Sequence, residues 1–170
     1  MTIKLFGAIL IVLSSWGIGL TIVTAHRKKV SSLNDLLTAI RYMKSELRYR
    51  CTPLPALCKA SAGASHGYIS GFLQLLSDEL EAQVCPDTKL CAIQALTHIK
   101  EIPNPTAAMI MTLADTLGTF DLSGQLDGLE MLETQIEQVL HQLTQQQDVR
   151  LRSYQTLSLC AGAALVILLI

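Results

Sequence analysis

Charged and aromatic residues are scarce in this sequence. Asp, Glu, Lys and Arg make up 16% of its 170 residues, and Phe, Trp and Tyr make up 5%, whereas an ordinary soluble domain is about 25% charged. The chain therefore contains something other than a water-exposed globule. Its net charge is only −1, so it offers no polycationic surface, and we predict no nucleic-acid partner.

The apolar residues are concentrated in two long charge-free runs. Residues 5–25 form a run of 21 residues and residues 153–170 a run of 18, and about 20 apolar residues suffice for a helix to cross a bilayer. Basic residues flank both runs on the side that faces the middle of the chain. By the positive-inside rule, we predict two transmembrane helices, 5–25 and 153–170, and a cytoplasmic domain over residues 27–152.

A cleaved signal peptide is the alternative interpretation of the first run. Lys4 would be its basic start and Ala25 would precede the cleavage site. The second run is not expected in a secreted soluble protein, and the basic cluster His26-Arg27-Lys28-Lys29 resists translocation. These two features favour a membrane helix, and with it a location in the cell membrane with both termini facing outward.

The sequence lacks the usual patterns of cofactor and metal sites. The spacings among Cys51, Cys58, Cys85 and Cys91 match no zinc or redox motif with a two-residue gap. None of the four histidines has another His or Cys one helical turn away, and no phosphate-binding Gly-rich loop occurs. We therefore predict no metal, no cofactor and no enzymatic activity, and we interpret the four cysteines as reduced, buried apolar side chains.

One short motif points to a different class of function. Residues 63–67 read Gly-Ala-Ser-His-Gly, which matches the G-x-S-x-G nucleophile elbow of hydrolases. That elbow needs a strand before the serine, and none is predicted here. A membrane-anchored hydrolase using Ser65 is therefore the disfavoured alternative, and the motif is interpreted as a turn.

Apolar residues recur every three or four positions along the cytoplasmic part, as in amphipathic helices. The clearest stripe lies within residues 31–49, and no helix breaker separates it from the first apolar run, so one helix is predicted from Lys4 to Tyr49. The last stripe follows Ser123, a predicted N-cap, and continues into the second apolar run. The residues of the two stripes are Leu33, Leu36, Leu37, Ile40, Met43 and Leu47, and Leu126, Leu129, Leu132, Ile136, Leu140 and Leu143.

Four shorter helices are predicted between the two long ones. Thr52 is the expected N-cap of the first, which ends near Ala62, and the second begins at Tyr68 or Ile69. Pro86 opens the third, and Asn104 with Pro105 caps the fourth, which ends near Gly118. The apolar face predicted for the third helix consists of Leu90, Ile93, Leu96 and Ile99. The predicted class is all-α, a bundle of about six helices.

The two halves of the cytoplasmic part carry opposite charge. Residues 27–59 contain eight basic and two acidic residues, whereas residues 78–148 contain twelve acidic and two basic ones. In one interpretation the basic half lies near anionic lipid and the acidic half meets a cationic partner. In the other, the two halves face each other or water. The sequence leaves both open.

Small residues lie four positions apart in both apolar runs. The pairs are Ser15 with Gly19 and Ser158 with Gly162. Such pairs allow helices to approach closely in a membrane. They predict packing either between the two runs or between separate copies of the chain.

Four blocks of this sequence resemble the stage III sporulation protein AB family of endospore-forming bacteria. They are residues 4–13, residues 46–54, residues 117–121 with Gln125, and residues 152–154. A glycine followed by a Gly-Gln-Leu-Asp run is also similar to the cytoplasmic repeats of the type II secretion platform protein F. The matching positions, here called the motif residues, are Glu46, Thr52, Pro53, Leu54, Gly118, Asp121, Gly124, Gln125 and Asp127.

The resemblance implies a scaffold role without catalysis. It implies a mother-cell membrane protein with a type II secretion F-like helical domain, acting as the platform of a secretion-like complex between mother cell and forespore. A cytoplasmic ATPase and other proteins of the same complex are the implied partners. A homo-oligomeric membrane organiser without an ATPase partner is the alternative. For Thr52, Pro53, Gly118 and Asp121, capping and turn formation are favoured over direct partner contact.

Overall fold

The computed structural model describes the backbone of residues 2–83, 87–99, 102–117 and 121–169, and side chains only from residue 24 to residue 145 within these ranges. The described residues form six helices and no strand, which confirms the all-α class. The helices are α1 (Thr2–Arg50), α2 (Leu54–Ala64), α3 (Gly67–Glu81), α4 (Thr88–His98), α5 (Asn104–Thr116) and α6 (Leu122–Leu169).

The chain divides into two compact units. One consists of residues 28–140 and is the helical bundle, with all of α2 to α5 and the parts of α1 and α6 that fall in this range. The other consists of residues 1–27 together with residues 141–170. The predicted boundary of the cytoplasmic domain, residues 27–152, therefore extends further along α6 than the compact bundle does.

The core of the bundle is built on the apolar stripe of α1. All six predicted stripe residues from Leu33 to Leu47 are buried, and so are Leu129, Leu132 and Ile136 of α6. Phe72 and Leu73 of α3 complete the centre of the core. A three- and four-residue spacing places these side chains on one face of each helix, and burying them excludes water from the bundle.

A buried hydroxyl pair joins α1 to α5. Oγ of Ser32 and Oγ1 of Thr106 lie 2.7 Å apart, and both residues are buried. The Ser32 hydroxyl also donates to the carbonyl oxygen of Lys29 at 3.1 Å. The Thr106 hydroxyl is therefore the donor of the pair, because the Ser32 proton is already used.

The prediction that Thr52 caps α2 is wrong. Pro53 is the N-cap residue, without a side-chain bond, and its carbonyl oxygen accepts from Leu57 N at 2.9 Å. The two prolines at 53 and 55 lack amide protons, so the first turn of α2 has fewer donors that need a cap. The turn predicted at residues 63–67 lies close to that position, between α2 and α3. Gly67 adopts φ +57° where α3 begins, a conformation that glycine takes without strain.

The predicted buried face of α4 is also wrong. The residues turned inward are Cys91, Ala92 and Ala95, all fully buried, whereas Leu90 and Ile93 are 47% and 41% exposed. α4 packs against both α3 and α5, and small side chains allow close approach of a helix to two neighbours. Asp87 is the N-cap of α4 and accepts from Lys89 N at 3.3 Å; Pro86, the predicted start of this helix, lies outside the described residues.

Two further caps differ from prediction. Asn104 is the first residue of α5 rather than its cap, and Pro103 takes the N-cap position without a side-chain bond. Ser123 lies inside α6, whose first turn is capped by Asp121: its Oδ1 accepts from Gly124 N at 3.0 Å. An aspartate caps a helix as well as a serine does, so the sequence alone did not separate these two candidates.

The prediction of buried cysteines holds for two of them. Cys58 and Cys91 are fully buried, but Cys51 is exposed. Cys85 lies outside the described residues, and the side chain of Cys160 is not among those described.

Where side chains are described, no helix has a stretch long and apolar enough to cross a membrane. Apart from residues 24 and 25, the predicted membrane segments 5–25 and 153–170 lie outside that part of the chain. The same is true of the packing residues Ser15, Gly19, Ser158 and Gly162.

Candidate functional site

An open cavity of about 290 Å³ lies where the corner between α1 and α2 meets the start of α6. We call it the corner groove. Four leucines contribute apolar surface to it. The thiol of Cys51, the hydroxyl of Thr52 and the amide of Gln125 contribute polar groups. Its lining residues are Leu47, Cys51, Thr52, Leu54, Leu57, Leu122 and Gln125.

The corner is a sharp reversal over three residues. α1 ends at Arg50, Cys51 takes the left-handed conformation with φ +50°, and Pro53 at φ −57° and ψ 147° leads into α2. A left-handed residue other than glycine costs about 1 kcal/mol or more, so the surrounding contacts must hold this turn. It places Cys51 and Thr52 beside Leu47 of the preceding helix.

The carboxylate of Glu46 is one of those contacts. Its Oε2 accepts from the Thr52 hydroxyl at 3.1 Å, and its Oε1 lies 3.4 Å from Nη1 of Arg50. The Glu46 side chain is only 13% exposed. A carboxylate this far from water needs such partners, so Glu46 stabilises the corner rather than presenting a free charge.

The start of α6 forms the opposite wall of the groove. Asp121 holds the first turn through its side chain, and its carbonyl oxygen accepts from Gln125 N at 2.9 Å. This turn directs Leu122 and Gln125 into the groove, and Leu122 remains 43% exposed.

The structure thus brings together motif residues from two distant parts of the sequence. Thr52, Leu54 and Gln125 line the corner groove, and Glu46 supports it through Thr52. Asp121 and Gly124 shape the first turn of α6. Pro53 starts α2, Asp127 is exposed without lining the groove, and Gly118 lies outside the described residues.

The geometry of the groove suits binding rather than catalysis. Four of its seven lining residues are leucines, whose side chains offer dispersion contacts and no proton transfer. In the part of the chain that the structure describes, no three His, Cys, Asp or Glu residues lie close enough to hold a metal ion. The groove can therefore receive an apolar side chain of a partner.

Ser65 does not have the environment of a hydrolase nucleophile. It follows helix α2 rather than a strand, it is only 4% exposed, and its hydroxyl donates to the carbonyl oxygen of Ala62 at 3.4 Å. The nearby Asp35 has a raised pKa because of burial, and His66 partly offsets this increase. Neither Asp35 nor His66 activates Ser65. The G-x-S-x-G match at residues 63–67 therefore corresponds to a turn between two helices.

A charged ladder between α1 and α6 was not predicted. Arg41 donates to Glu133 at 2.7 Å and to Glu137 at 2.6 Å. Lys44 donates to Glu133 at 2.8 Å and lies 3.8 Å from Glu130. The hydrogen bonds from Lys44 and Arg41 lower the pKa of Glu133, and the Glu133 bond raises the pKa of Arg41.

The ladder bears on the two interpretations of the charge asymmetry. It shows that part of the basic half does face part of the acidic half. The spacing of the charges, 41 with 44 and 130 with 133 and 137, is the signal that could have revealed it, because such positions share one helix face. The ladder does not decide between the two interpretations for the other charged residues of the two halves.

Comparisons with known proteins agree on one family. The profile of the family described as stage III sporulation protein AB (spore_III_AB) matches residues 4–170. A solved structure titled "Stage III sporulation protein AB (SpoIIIAB)" aligns with a TM-score of 0.63 at 20% identity, covering 72% of this chain and 98% of that one. At this identity the structural match speaks for the fold alone. No curated protein matches the chain.

Proposed function

Because the chain belongs to the stage III sporulation protein AB family, we propose that it is a membrane scaffold of a secretion-like complex between mother cell and forespore. Membership of the family gives it a role in sporulation together with other sporulation proteins. In the proposal, residues 5–25 and 153–170 anchor it in the mother-cell membrane, and the cytoplasmic helical bundle binds an ATPase of the complex.

The convergence of motif residues at the corner groove is the observation that supports this proposal. Thr52 and Leu54 are separated from Gln125 by about 70 positions in sequence, yet they line one open cavity. An apolar groove rimmed by hydrogen-bonding groups fits the side chain of a protein partner, and its charge-free lining offers nothing to a nucleotide.

A scaffold function also fits the construction of the bundle. The charged ladder and the shared core hold α1 and α6 together within residues 28–140. A binding surface built on packed helices keeps its shape when a partner docks, so less free energy is lost in ordering it. The likeness to the type II secretion platform protein F and the two-pass topology remain part of the proposal.

Binding of the full chain to the cytoplasmic ATPase of the same complex tests the proposal. The chain would be reconstituted in lipid nanodiscs, and the affinity for the purified ATPase measured with the wild type and with Leu122→Asp. We expect the charge in the groove to weaken binding by about tenfold or more, because a buried unpaired carboxylate is costly. Met131→Asp, on the same helix at a side chain that is 65% exposed, is the matched control.

Two results would count against the ATPase-binding scaffold. Wild-type chain that does not bind the ATPase would leave the homo-oligomeric organiser as the better account. That alternative predicts self-association that survives removal of α2 to α5. Equal weakening by Leu122→Asp and Met131→Asp would mean that the corner groove is not the contact.

A further inference from the structure

Helix α4 turns two of its larger apolar side chains, Leu90 and Ile93, away from the bundle. Leu90 and Ile93 lie three positions apart on the outward side of α4, whereas Cys91, Ala92 and Ala95 are fully buried. A helix rotated by about one residue would bury leucine and isoleucine instead, and so remove more apolar surface from water. The observed rotation therefore leaves a surface whose apolar content the fold itself does not use.

Unpaired carboxylates gather at one end of the same pair of helices. α3 ends at Glu81 and α4 begins at Thr88, and the two helices pack against each other, so the end of α3 and the start of α4 lie together. Asp78, Glu81 and Asp87 are exposed there, and none forms an ion pair with a basic side chain of the described residues. We call these three carboxylates with Leu90 and Ile93 the α4 face.

The neighbouring basic residue is already engaged. Nζ of Lys89 lies 2.8 Å from Oδ1 of Asp115 on α5, and this carboxylate raises the pKa of Lys89. Among the described side chains of residues 67–117, the acidic residues are Asp78, Glu79, Glu81, Asp87 and Asp115, and the basic one is Lys89. The described acidic residues of this region outnumber the basic one, so the α4 face carries a net negative charge, which Lys89 offsets only in part through Asp87.

We propose that the α4 face is a docking surface for a basic segment of the ATPase partner, with apolar side chains of that segment seated on Leu90 and Ile93. The inference rests on the proposed function for the identity of the partner. Charge decides the class of occupant. Lysine or arginine side chains complement the carboxylates, whereas an anionic lipid surface would be repelled. A second copy docked through the same face would bring two sets of carboxylates together.

The α4 face differs in chemistry from the corner groove. The groove is concave and lined by leucines with two neutral polar groups, so it selects by shape. The α4 face is the outer side of a helix with an acidic end, so it selects by charge and speeds association at low salt. The two surfaces can therefore be separated by substitution and by ionic strength.

The test measures binding of the purified ATPase to the full chain in nanodiscs of neutral lipid. One variant carries Leu90→Ser and Ile93→Ser, and the other carries Asp78→Asn, Glu81→Gln and Asp87→Asn. All five side chains are exposed, and asparagine retains the cap at position 87, so helical content and thermal unfolding should match the wild type. Met131→Ser and Glu137→Gln, an exposed methionine and a half-exposed carboxylate elsewhere, are the matched controls.

We expect each α4 variant to weaken binding by about tenfold or more, and each control by less than about twofold. The wild-type affinity should fall with rising salt, and the charge-neutral variant should lose most of that salt dependence. Binding of both α4 variants at wild-type affinity would overturn the α4 face as the docking surface while leaving the proposed function intact. Absence of wild-type binding would instead reject the proposed function, and this inference with it.

One further outcome would change the occupant. If the Leu90 and Ile93 substitutions abolished self-association of the chain and left ATPase binding unchanged, the face would be an interface between copies. Retained salt dependence in the charge-neutral variant would equally contradict the assignment of a basic partner segment.

Discussion

The hydroxyl of Thr52 donates to Oε2 of Glu46 at 3.1 Å, across the left-handed turn at Cys51. Thr52, the second residue after α1, is therefore tied back to α1 through its side chain. This bond offsets part of the strain at Cys51 and fixes one wall of the corner groove. It also gives Glu46 a partner besides the exposed Arg50.

Thr52→Val removes this bond while keeping the shape of the side chain. We expect the free energy of unfolding to fall by about 1 kcal/mol, because Glu46 loses a hydrogen-bond donor while remaining mostly buried. Urea unfolding of the full chain in detergent checks this. Thr52→Ser, which keeps the hydroxyl, should stay close to the wild type; a loss as large as that of the valine variant would mean that the methyl group matters instead.

Glu133→Gln weakens the charged ladder between α1 and α6. We expect a loss of about 1 kcal/mol at neutral pH, since Arg41 is half exposed and water screens its share of the interaction. The pKa of Glu133 lies below its ordinary value of 4.5 in the folded state. Its stabilising effect is therefore complete above that pH and is lost as the pH falls through the folded-state pKa.

The pH dependence of unfolding separates this effect from a packing change. Wild type and Glu133→Gln should differ most above pH 4.5 and converge in more acidic solution. Glu137→Gln, whose side chain is 50% exposed and pairs with Arg41, should cost less. A difference between wild type and Glu133→Gln that persists unchanged in strong acid would contradict the charge-based explanation.

Gly128→Ala tests a close contact between α5 and α6. A Cβ at position 128 would overlap Cγ2 of Thr116, so we expect a loss of about 1–3 kcal/mol from the displacement of one helix. Thr116→Ser removes that methyl group and keeps the hydroxyl that donates to the carbonyl oxygen of Thr112 at 2.9 Å. The double variant should recover most of the lost stability in thermal unfolding, and failure to do so would mean that another contact limits position 128.

Thiol labelling tests both burial and topology. Cys51 is exposed, whereas burial raises the pKa of Cys58 to about 12, so a maleimide should modify Cys51 rapidly and Cys58 only after unfolding. In unbroken cells, a reagent that does not cross the bilayer should leave Cys51 unmodified, and cell lysis should expose it. Cys51→Ser supplies the background from the other cysteines, and labelling at Cys51 before lysis would contradict a cytoplasmic bundle.

The sequence predicted the core of the long helices better than that of α4. In α1, leucine, isoleucine and methionine repeat on one face, and only one rotation buries them. In α4, both Leu90 with Ile93 and Cys91 with Ala92 and Ala95 form a helical stripe. The choice between these stripes depends on how closely α3 and α5 approach, which is a tertiary effect absent from the local pattern.

The corner groove could be predicted only in part. The resemblance identified Thr52, Leu54 and Gln125 as candidates, but no spacing rule brings residue 52 beside residue 125. That proximity depends on the antiparallel packing of α1 against α6, which the pairs Arg41–Glu137 and Lys44–Glu130 mark. Among caps, Asp121 and Ser123 are both good candidates, and only the hydrogen bond to Gly124 N distinguishes them.

The ladder that joins Arg41 to Glu133 has a consequence for biosynthesis. The two residues are 92 positions apart, so α1 has left the ribosome long before its charged partner is translated. Until residues up to Ile136 have emerged, the nascent chain exposes part of the apolar face of α1 that α6 later covers. The bundle therefore completes its core only when synthesis of the chain is nearly finished.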